Sequence, residues 1–356
     1  MKGPFAFFIH PLSIVDLYRA IPSFQNKSVE FVESVIKFID PFVAVEMEIE
    51  TSANERVYGL FIVIPLLSKQ FVEDEKLAMS KLIKGSRLAI KFGAKIVGLG
   101  AFTSIVGKAG MNLVKNFGDV LYFTSGASYT VASSLEVLDI ILDKRKMNKK
   151  DLNIAVVGAT GAIGKAITKL VVRDYKKVFA VARNKTRLNV LKNEIKADNI
   201  FVSTDILASC LNSDVVITAT SNPSEIIFSR YLRHGAIVCD ISMPHNTSEE
   251  VIKNRKDVTV IEGGVIELPS EPKFKKLFND LSWNDIIGFP ENNVLACMAE
   301  TIILTAEEKY ENYSIGRNID ENKIMEISLL AKKHGFKVRL RKKESEITPN
   351  IGTLLK

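Results

Sequence analysis

The rhythm of apolar and polar positions changes near residue 150. Before it, short apolar runs at 5–9, 42–47 and 58–67 alternate with stretches at 14–20, 73–92 and 129–142, where apolar residues recur every three or four positions. The first kind predicts strands and the second helices, so residues 1–150 read as an α/β or α+β domain whose strand order the pattern does not fix. Residues 144–151, KRKMNKKD, have no apolar face and read as a connection between domains.

After this stretch the alternation becomes regular. Strands are expected at 154–157, 178–182, 200–203, 215–219, 236–240 and 258–261, with helices at 162–173 and 186–195 between the first of them. That order predicts a Rossmann-type, doubly wound parallel sheet over residues 151–291. An apolar helix is expected over 292–310, following Pro290, and another over 321–334 with Gly335 as its stop. The predicted organisation is therefore α/β throughout. An N-terminal α/β substrate domain (1–150) precedes the nucleotide domain (151–291), and C-terminal helices (292–356) pack back on the N-terminal half.

Between the strand at 154–157 and its helix stands Gly158-Ala-Thr160-Gly161-Ala162-Ile163-Gly164. A tight turn, a close backbone approach to pyrophosphate and a helix start with unpaired N–H groups need that combination in that place. The spacing is GxxGxxG, a variant found in many NADP-binding domains. NAD-selective sites carry Asp or Glu at the end of the second strand to hold the ribose 2′-hydroxyl. Here the chain reads Ala182-Arg183-Asn184-Lys185-Thr186-Arg187, with no carboxylate, so Arg183, Asn184 and Arg187 point to a 2′-phosphate and to NADPH. Thr220 and Ser221, after the strand at 215–219, are candidates for the nicotinamide end.

Composition narrows the class without choosing the reaction. The 356 residues are 47% hydrophobic and 25% charged, as in an ordinary globular protein. A net charge of +7 favours acidic partners. Without zinc-finger spacing or an RNA-binding aromatic pattern, nucleic acid is not expected among them. Cys210, Cys239 and Cys297 are too few and too irregular for a disulfide framework or a metal cluster. No leader pattern or run of about 20 apolar residues is seen, so a cytoplasmic protein is expected. Cys210 and Cys239 fall in apolar core segments. Cys297, in the first turns of the expected C-terminal helix, is the candidate nucleophile, because helix N-terminal charge favours thiolate. Packing alone would also explain it.

Several segments occur together in one order: Gly98-Leu-Gly-Ala-Phe-Thr-Ser-Ile-Val106, the glycine loop, Val181-Ala-Arg-Asn-Lys-Thr-Arg-Leu188, Leu295-Ala-Cys297-Met-Ala-Glu300, Ser314-Ile-Gly-Arg-Asn318 and Lys333-His-Gly-Phe336. Over residues 5–336 the chain resembles the long-chain acyl-[acyl-carrier-protein] reductases of cyanobacteria. The resemblance implies NADPH-dependent reduction of a fatty acyl thioester to a fatty aldehyde. Cys297 would hold the acyl group, and acyl carrier protein or CoA would deliver it. It departs from the family at Thr124-Ser-Gly-Ala127-Ser-Tyr129-Thr130, where an Asn and a His of the cyanobacterial pattern are replaced by Ala127 and Tyr129. Residues 237–246, with His245 after Pro244, look like a part of glutamyl-tRNA reductases and make His245 a candidate proton donor. A solvent-facing loop histidine is the plainer reading of that position.

Lys332, Lys333, Lys337, Arg339, Arg341, Lys342 and Lys343 gather cations near the C-terminal end. Docking of an acidic carrier, contact with an anionic membrane surface, and simple solubilisation are all open for that run. An enzyme that consumes the aldehyde is a further partner the reaction would call for. Two other functions remain open on the residues: an NADP-dependent dehydrogenase of a small polar substrate with a structural Cys297, and a nucleotide-binding interaction protein without turnover.

Overall fold

The structure, a computed structural model, describes residues 1–222, 224–276, 283 and 292–342. Pro290, the expected boundary at 291 and Lys343 lie outside them. The chain forms two compact units. One holds the described residues of 1–139, 161–166 and 264–339, and the other those of 140–160, 167–263 and from 340 onward.

The first unit is built on a six-stranded mixed sheet. Its strands are β1 (Lys2–Ile9), β2 (Phe42–Glu50), β3 (Arg56–Val63), β4 (Ile96–Leu99) and β5 (Tyr122–Thr124), with Lys273–Lys276 added beside β2. β1 sits between β3 and β4 and runs parallel to both, whereas β2 is antiparallel to β3. A central strand covered on both faces needs apolar side chains in succession, and β1 supplies them. Phe5 and Phe7 join a core with Ile302 and Ile303 of the helix Ala296–Ala306. Ala6 and Phe8 join a second core with Leu82 and Ala89 of the helix Glu75–Lys91. Period-two alternation thus sorts neighbouring residues into two layers.

The helix Ala296–Ala306 is buried along nearly its whole length, as a helix apolar on every side must be. At its C-terminal end Lys2 Nζ donates to the Ala306 carbonyl at 2.6 Å, placing a cation on the negative end of the helix dipole. This helix begins later than its apolar pattern suggests. Asn293–Leu295 is instead a strand, pairing antiparallel with Val265–Glu267, which also pairs with Lys337–Val338. A three-residue apolar strand running into a helix carries no periodic mark of the junction. The expected helix over 73–92 is likewise two helices, Ser68–Glu73 and Glu75–Lys91, because Asp74 leaves helical geometry and accepts the Leu77 N–H at 3.0 Å. The run at 58–67 stops being strand at Val63.

The second unit is the expected nucleotide fold. Its strands are β6 (Asn153–Val157), β7 (Lys177–Val181), β8 (Ile200–Ser203), β9 (Val215–Thr218), β10 (Ile237–Asp240) and β11 (Thr259–Glu262). They lie in the order β11-β10-β9-β6-β7-β8, all parallel, with Arg341–Lys342 antiparallel on the β11 edge. That is the doubly wound order of dinucleotide-binding sheets, with its reversal between β6 and β9. Cys210 and Cys239 are fully buried within this unit. Among the described residues no helix is long and apolar enough to cross a membrane.

His10 closes the end of β1. Nδ1 lies 3.0 Å from the Pro11 carbonyl, and the Phe102 N–H donates to Nε2 at 3.2 Å, so the ring is used as a neutral donor and acceptor. Burial pulls its pKa down to about 4, against smaller upward pulls from the Pro11 carbonyl and Asp16. The unfolded chain, at about 6.5, therefore takes the proton first as pH falls. Stability should decline from pH 6.5 to 4 and then level off with respect to this group. Thermal melts across that range should show a shallower decline in His10→Gln; parallel curves would count against the assignment.

Candidate active site

Cys297 is the second residue of its helix, and of the three cysteines it alone keeps surface in contact with water. It packs at the edge of the core containing Phe5, Phe7 and Tyr129. Opposite it lies Gly126, just before the helix Ala127–Lys144. A Cβ on Gly126 would fall 2.1 Å from Cys297 Cα and 2.2 Å from its Cβ, and Gly126 has φ +72°. Both the space and the left-handed backbone therefore require glycine there.

The sulfur's electrostatics differ from the expectation that the helix start favours thiolate. The Cys297 and Met298 amides do pull the thiol pKa down. Burial and the nearby Glu300 carboxylate outweigh them and push it up to about 12. A helix dipole is a partial charge at a partly solvated terminus, and here desolvation by the packed core is the larger effect.

Glu300 stands one helical turn beyond Cys297 and is completely buried. The Thr124 hydroxyl donates to Oε1, and the Tyr129 N–H donates to Oε2 at 2.8 Å. Thr124 Oγ1 in turn accepts the Gly126 N–H at 3.2 Å. Ser314 accepts the Ser128 N–H at 3.1 Å and donates to the Ser128 hydroxyl at 2.6 Å. One carboxylate thus ties the end of β5 to the start of the next helix, and Ser128 on that helix holds the Ser314 segment. Burial raises its pKa against these donors and the charge of Lys323. Sequence reasoning quoted Glu300, Thr124 and Ser314 within motifs but gave them no role. An acidic residue inside an apolar helix was the available signal, since such a group must find partners when buried.

Tyr129 and Ala127 are both buried. Tyr129 sits in the core beside Phe5 and Phe61, and burial drives its phenol further above its ordinary range. It does not stand in for an imidazole that exchanges protons near neutrality.

The nucleotide candidates follow the carboxyl ends of the neighbouring parallel strands β6, β7 and β9. Gly158 has φ +93°, and a Cβ there would meet the Ala219 carbonyl oxygen at 2.3 Å. Glycine lets the ends of β6 and β9 approach at the reversal of the sheet. Thr160 and Gly161 follow, and Ala162, Ile163 and Gly164 open the helix Ala162–Val171. Arg183, Asn184 and Arg187 are exposed beyond β7. The Asn184 side chain caps the helix Lys185–Ile195 by accepting the Arg187 N–H at 2.9 Å. A glycine cradle, a helix start and two guanidinium groups fit a dinucleotide's phosphates.

Past β9 and β10 the loops are tied by side chains. Thr218 and Thr220 donate to Asn246 Oδ1 at 3.1 and 2.5 Å, and the Thr220 N–H donates to Ser242 Oγ at 3.0 Å. Ser221 is exposed. Asp240 accepts the N–H groups of Ser242, Asn246 and Thr247 and so shapes the loop bearing His245. His245 is half-buried, with Nδ1 3.8 Å from Asp240 and Nε2 3.4 Å from Glu262. It is an imidazole between two carboxylates, not a bare loop residue. Among the described residues no cluster of ligands suited to a metal ion occurs.

Residues 141–262 match the model of the shikimate/quinate 5-dehydrogenase family. The chain carries a nicotinamide-nucleotide domain of the oxidoreductase type. Two curated proteins are similar over most of its length. Aminotransferase PigE of a Serratia species is 25% identical over 295 residues, 82% of this chain but 33% of that protein. A long-chain acyl-[acyl-carrier-protein] reductase of Synechococcus elongatus is 26% identical over 313 residues, 83% of this chain and 87% of that protein. The chain thus spans about a third of the first relative and most of the second. Among solved structures, the nucleotide-binding domain of glutamyl-tRNA reductase from Thermoplasma volcanium is 25% identical, covering 36% of this chain and 85% of that one at a TM-score of 0.28. L-tryptophan dehydrogenase from Nostoc punctiforme covers 94% and 81% of the two chains at 11% identity and a TM-score of 0.40. Overlays of that quality leave function to the chain's own residues.

Two substitutions test the local geometry. Gly126→Ala should cost at least about 2 kcal/mol in urea denaturation, from backbone strain and overlap with Cys297; an unchanged midpoint would contradict the close approach. Gly158→Ala should weaken nicotinamide dinucleotide binding by about tenfold or more, or 1.4 kcal/mol, in a fluorescence titration. Unaltered affinity would remove the glycine loop from the site.

Proposed function

We propose that the protein reduces a fatty acyl thioester to a fatty aldehyde with NADPH, holding the acyl group on Cys297. The observation that carries this reading is that Cys297 alone among the cysteines is only partly buried, at the head of a buried helix and backed by an apolar core. Similarity to the acyl-[acyl-carrier-protein] reductase along most of both chains supports it.

In this reading the Cys297 sulfur attacks the thioester carbonyl and a new carbon–sulfur bond forms. The bond to the carrier breaks, and the carrier leaves as a thiol with the proton that Cys297 gives up. Covalent capture divides one difficult reduction into two easier steps. NADPH, when bound, supplies the hydride that brings the acyl carbon to the aldehyde level. Cys297 then departs as the thiohemiacetal collapses, and His245 is the residue proposed to supply the proton that balances the reduction. Gly158, Thr160, Gly161, Ala162, Ile163 and Gly164 would hold the pyrophosphate, with Thr220 and Ser221 toward the nicotinamide. Arg183 and Arg187, with no carboxylate at the end of β7, favour a 2′-phosphate and hence NADPH over NADH.

The carrier would be acyl carrier protein or CoA. Of the basic run, Lys333 pairs with Glu307 at 2.6 Å and Arg339 with Glu267 at 2.9 Å. In this reading Lys332 and Lys337 would meet the carrier or an anionic membrane surface. Delivery of the aldehyde to a consuming enzyme belongs to the same proposal. One observation favours the rival dehydrogenase of a small polar substrate: a thiol pushed up to about 12 suits a structural cysteine.

Incubation with radiolabelled acyl-CoA or acyl carrier protein, without NADPH, separates the readings. The protein should become labelled in a hydroxylamine-sensitive form, and Cys297→Ala should take up none. Label retained in that variant sinks the mechanism, while NADP-linked oxidation of small alcohols that survives it supports the rival. Nucleotide binding without turnover of either substrate would leave only an interaction protein. Arg183→Ala should weaken NADPH about tenfold more than NADH in binding titrations, a loss of about 1.4 kcal/mol. Equal losses would overturn the cofactor preference.

A further inference from the structure

The loop that leaves β9 is exposed on one side and fastened on the other. Ser221 and Ser224 face solvent and Thr220 and Asn222 are half-buried, whereas Asn246, which holds them, is completely buried. The loop also borders the glycine turn. A Cβ on Gly158 would meet the Ala219 carbonyl oxygen at 2.3 Å and the Thr220 methyl at 3.0 Å. It therefore stands at the reversal of the sheet, where a dinucleotide crosses from one half of the fold to the other.

Asn246 engages this loop with its whole amide. Its Nδ2 donates to the Asn222 carbonyl at 2.9 Å and to the Ser224 carbonyl at 3.0 Å. Carbonyl oxygens only accept, so the nitrogen must face them and the oxygen must face the other way. Oδ1 then takes the hydroxyl protons of Thr218 and Thr220. Thr218 has no second proton to give, which makes Ser242 the donor in their 3.1 Å contact. Ser242 Oγ in turn accepts the Thr220 N–H, and Thr220 Oγ1 accepts the Asn222 N–H at 3.0 Å. The main chain is equally committed. The Asn246 N–H donates to Asp240 Oδ2 at 3.0 Å, and its carbonyl accepts the N–H groups of Ile226 and Ile227 at 2.8 and 3.0 Å. Among side chains of this length, only asparagine offers two donors together with an oxygen that accepts twice. Thr220 spends its hydroxyl proton inside this network, so it shapes the loop and does not donate to a cofactor.

We propose that Asn246 is a positioning residue for the nicotinamide half of the bound dinucleotide. It fixes the loop carrying Thr220, Ser221, Asn222 and Ser224 in the form that receives the nicotinamide riboside. The pyrophosphate and adenosine are held independently, by the glycine turn and the residues after β7. A loop ordered in advance spares the cofactor the cost of ordering it, and that saving is lost when the amide is removed. The inference rests on the reading that the nicotinamide end lies beyond β9, and it does not require the acyl-enzyme.

Two ligands separate the halves: NADPH, and 2′-phospho-ADP-ribose, which lacks the nicotinamide. In calorimetric titrations Asn246→Ala should bind NADPH about tenfold more weakly and 2′-phospho-ADP-ribose within about twofold of wild type. Asn246→Asp keeps an oxygen toward the two threonines but sets another against the two carbonyls, so it should weaken NADPH as Asn246→Ala does. A general loosening of the unit would weaken both ligands alike. Equal losses, or wild-type NADPH affinity in either variant, overturn the proposal. If neither variant folds, hydrogen exchange in the wild-type protein decides. Peptides carrying the Thr220, Asn222 and Ser224 amides, each bonded in the free protein, should exchange slowly without ligand. NADPH should slow them further and 2′-phospho-ADP-ribose should not; fast exchange in the free protein, or equal protection by both ligands, contradicts the assignment. Should NADH bind in place of NADPH, the same difference is expected between NADH and ADP-ribose, so a failed 2′-phosphate preference is read apart from this proposal. Absence of acyl labelling with the ligand difference intact would defeat the acyl-enzyme reading and leave the role of Asn246 standing.

Discussion

A fully buried carboxylate must be satisfied where it stands, and in the first unit that requirement falls on Glu300. Its donors come from residues 124 and 129, so one group fixes a turn more than 170 residues away in sequence. The geometry around Cys297 follows from it. The turn carrying Gly126 can rest against the sulfur-bearing residue only because Thr124 and Tyr129 are held from the other side. The cost of burying a carboxyl group is offset locally by hydrogen bonds, and those same bonds shape the turn beside Cys297.

The nucleotide unit depends on a different constraint. At the reversal between β6 and β9 the backbone of Gly158 approaches Ala219 more closely than any side chain permits. The loops beyond β9 and β10 are then held by Asn246 and Asp240, which between them bond to Thr218, Thr220, Ser242 and Thr247. Rigid loops at the carboxyl edge of a parallel sheet are what a dinucleotide needs, and here polar side chains provide the rigidity.

Much of this was legible in the chain. The strands and helices of the nucleotide unit followed from their regular alternation, and the glycine loop from its place between strand and helix. The hidden part was relational. Residues 293–295 form a strand because Val265–Glu267 is there to pair with them, a fact no local period reports. Asp74 divides one apolar pattern into two helices through a single side-chain bond. Cys297 was visible as a candidate, but its electrostatics depend on how tightly the core closes over it and on Glu300. The helix dipole is a property of the helix alone and takes no account of either. Thr124 and Ser314 drew attention only through motif resemblance, since polar residues in loops have many uses.

The two units also differ in how their chain is distributed. The nucleotide unit draws mainly on the stretch 140–263 without 161–166, whereas the first unit combines the beginning of the chain with those six residues and with 264–339. During synthesis the sheet face bearing Phe5, Phe7 and Phe61 must therefore wait for the helix Ala296–Ala306 before it is covered. Until then the nascent chain displays an aromatic surface to water while its later neighbour can already close. The segment that brings Cys297 is also the one that covers this sheet face, so a chain stopped before it lacks both at once.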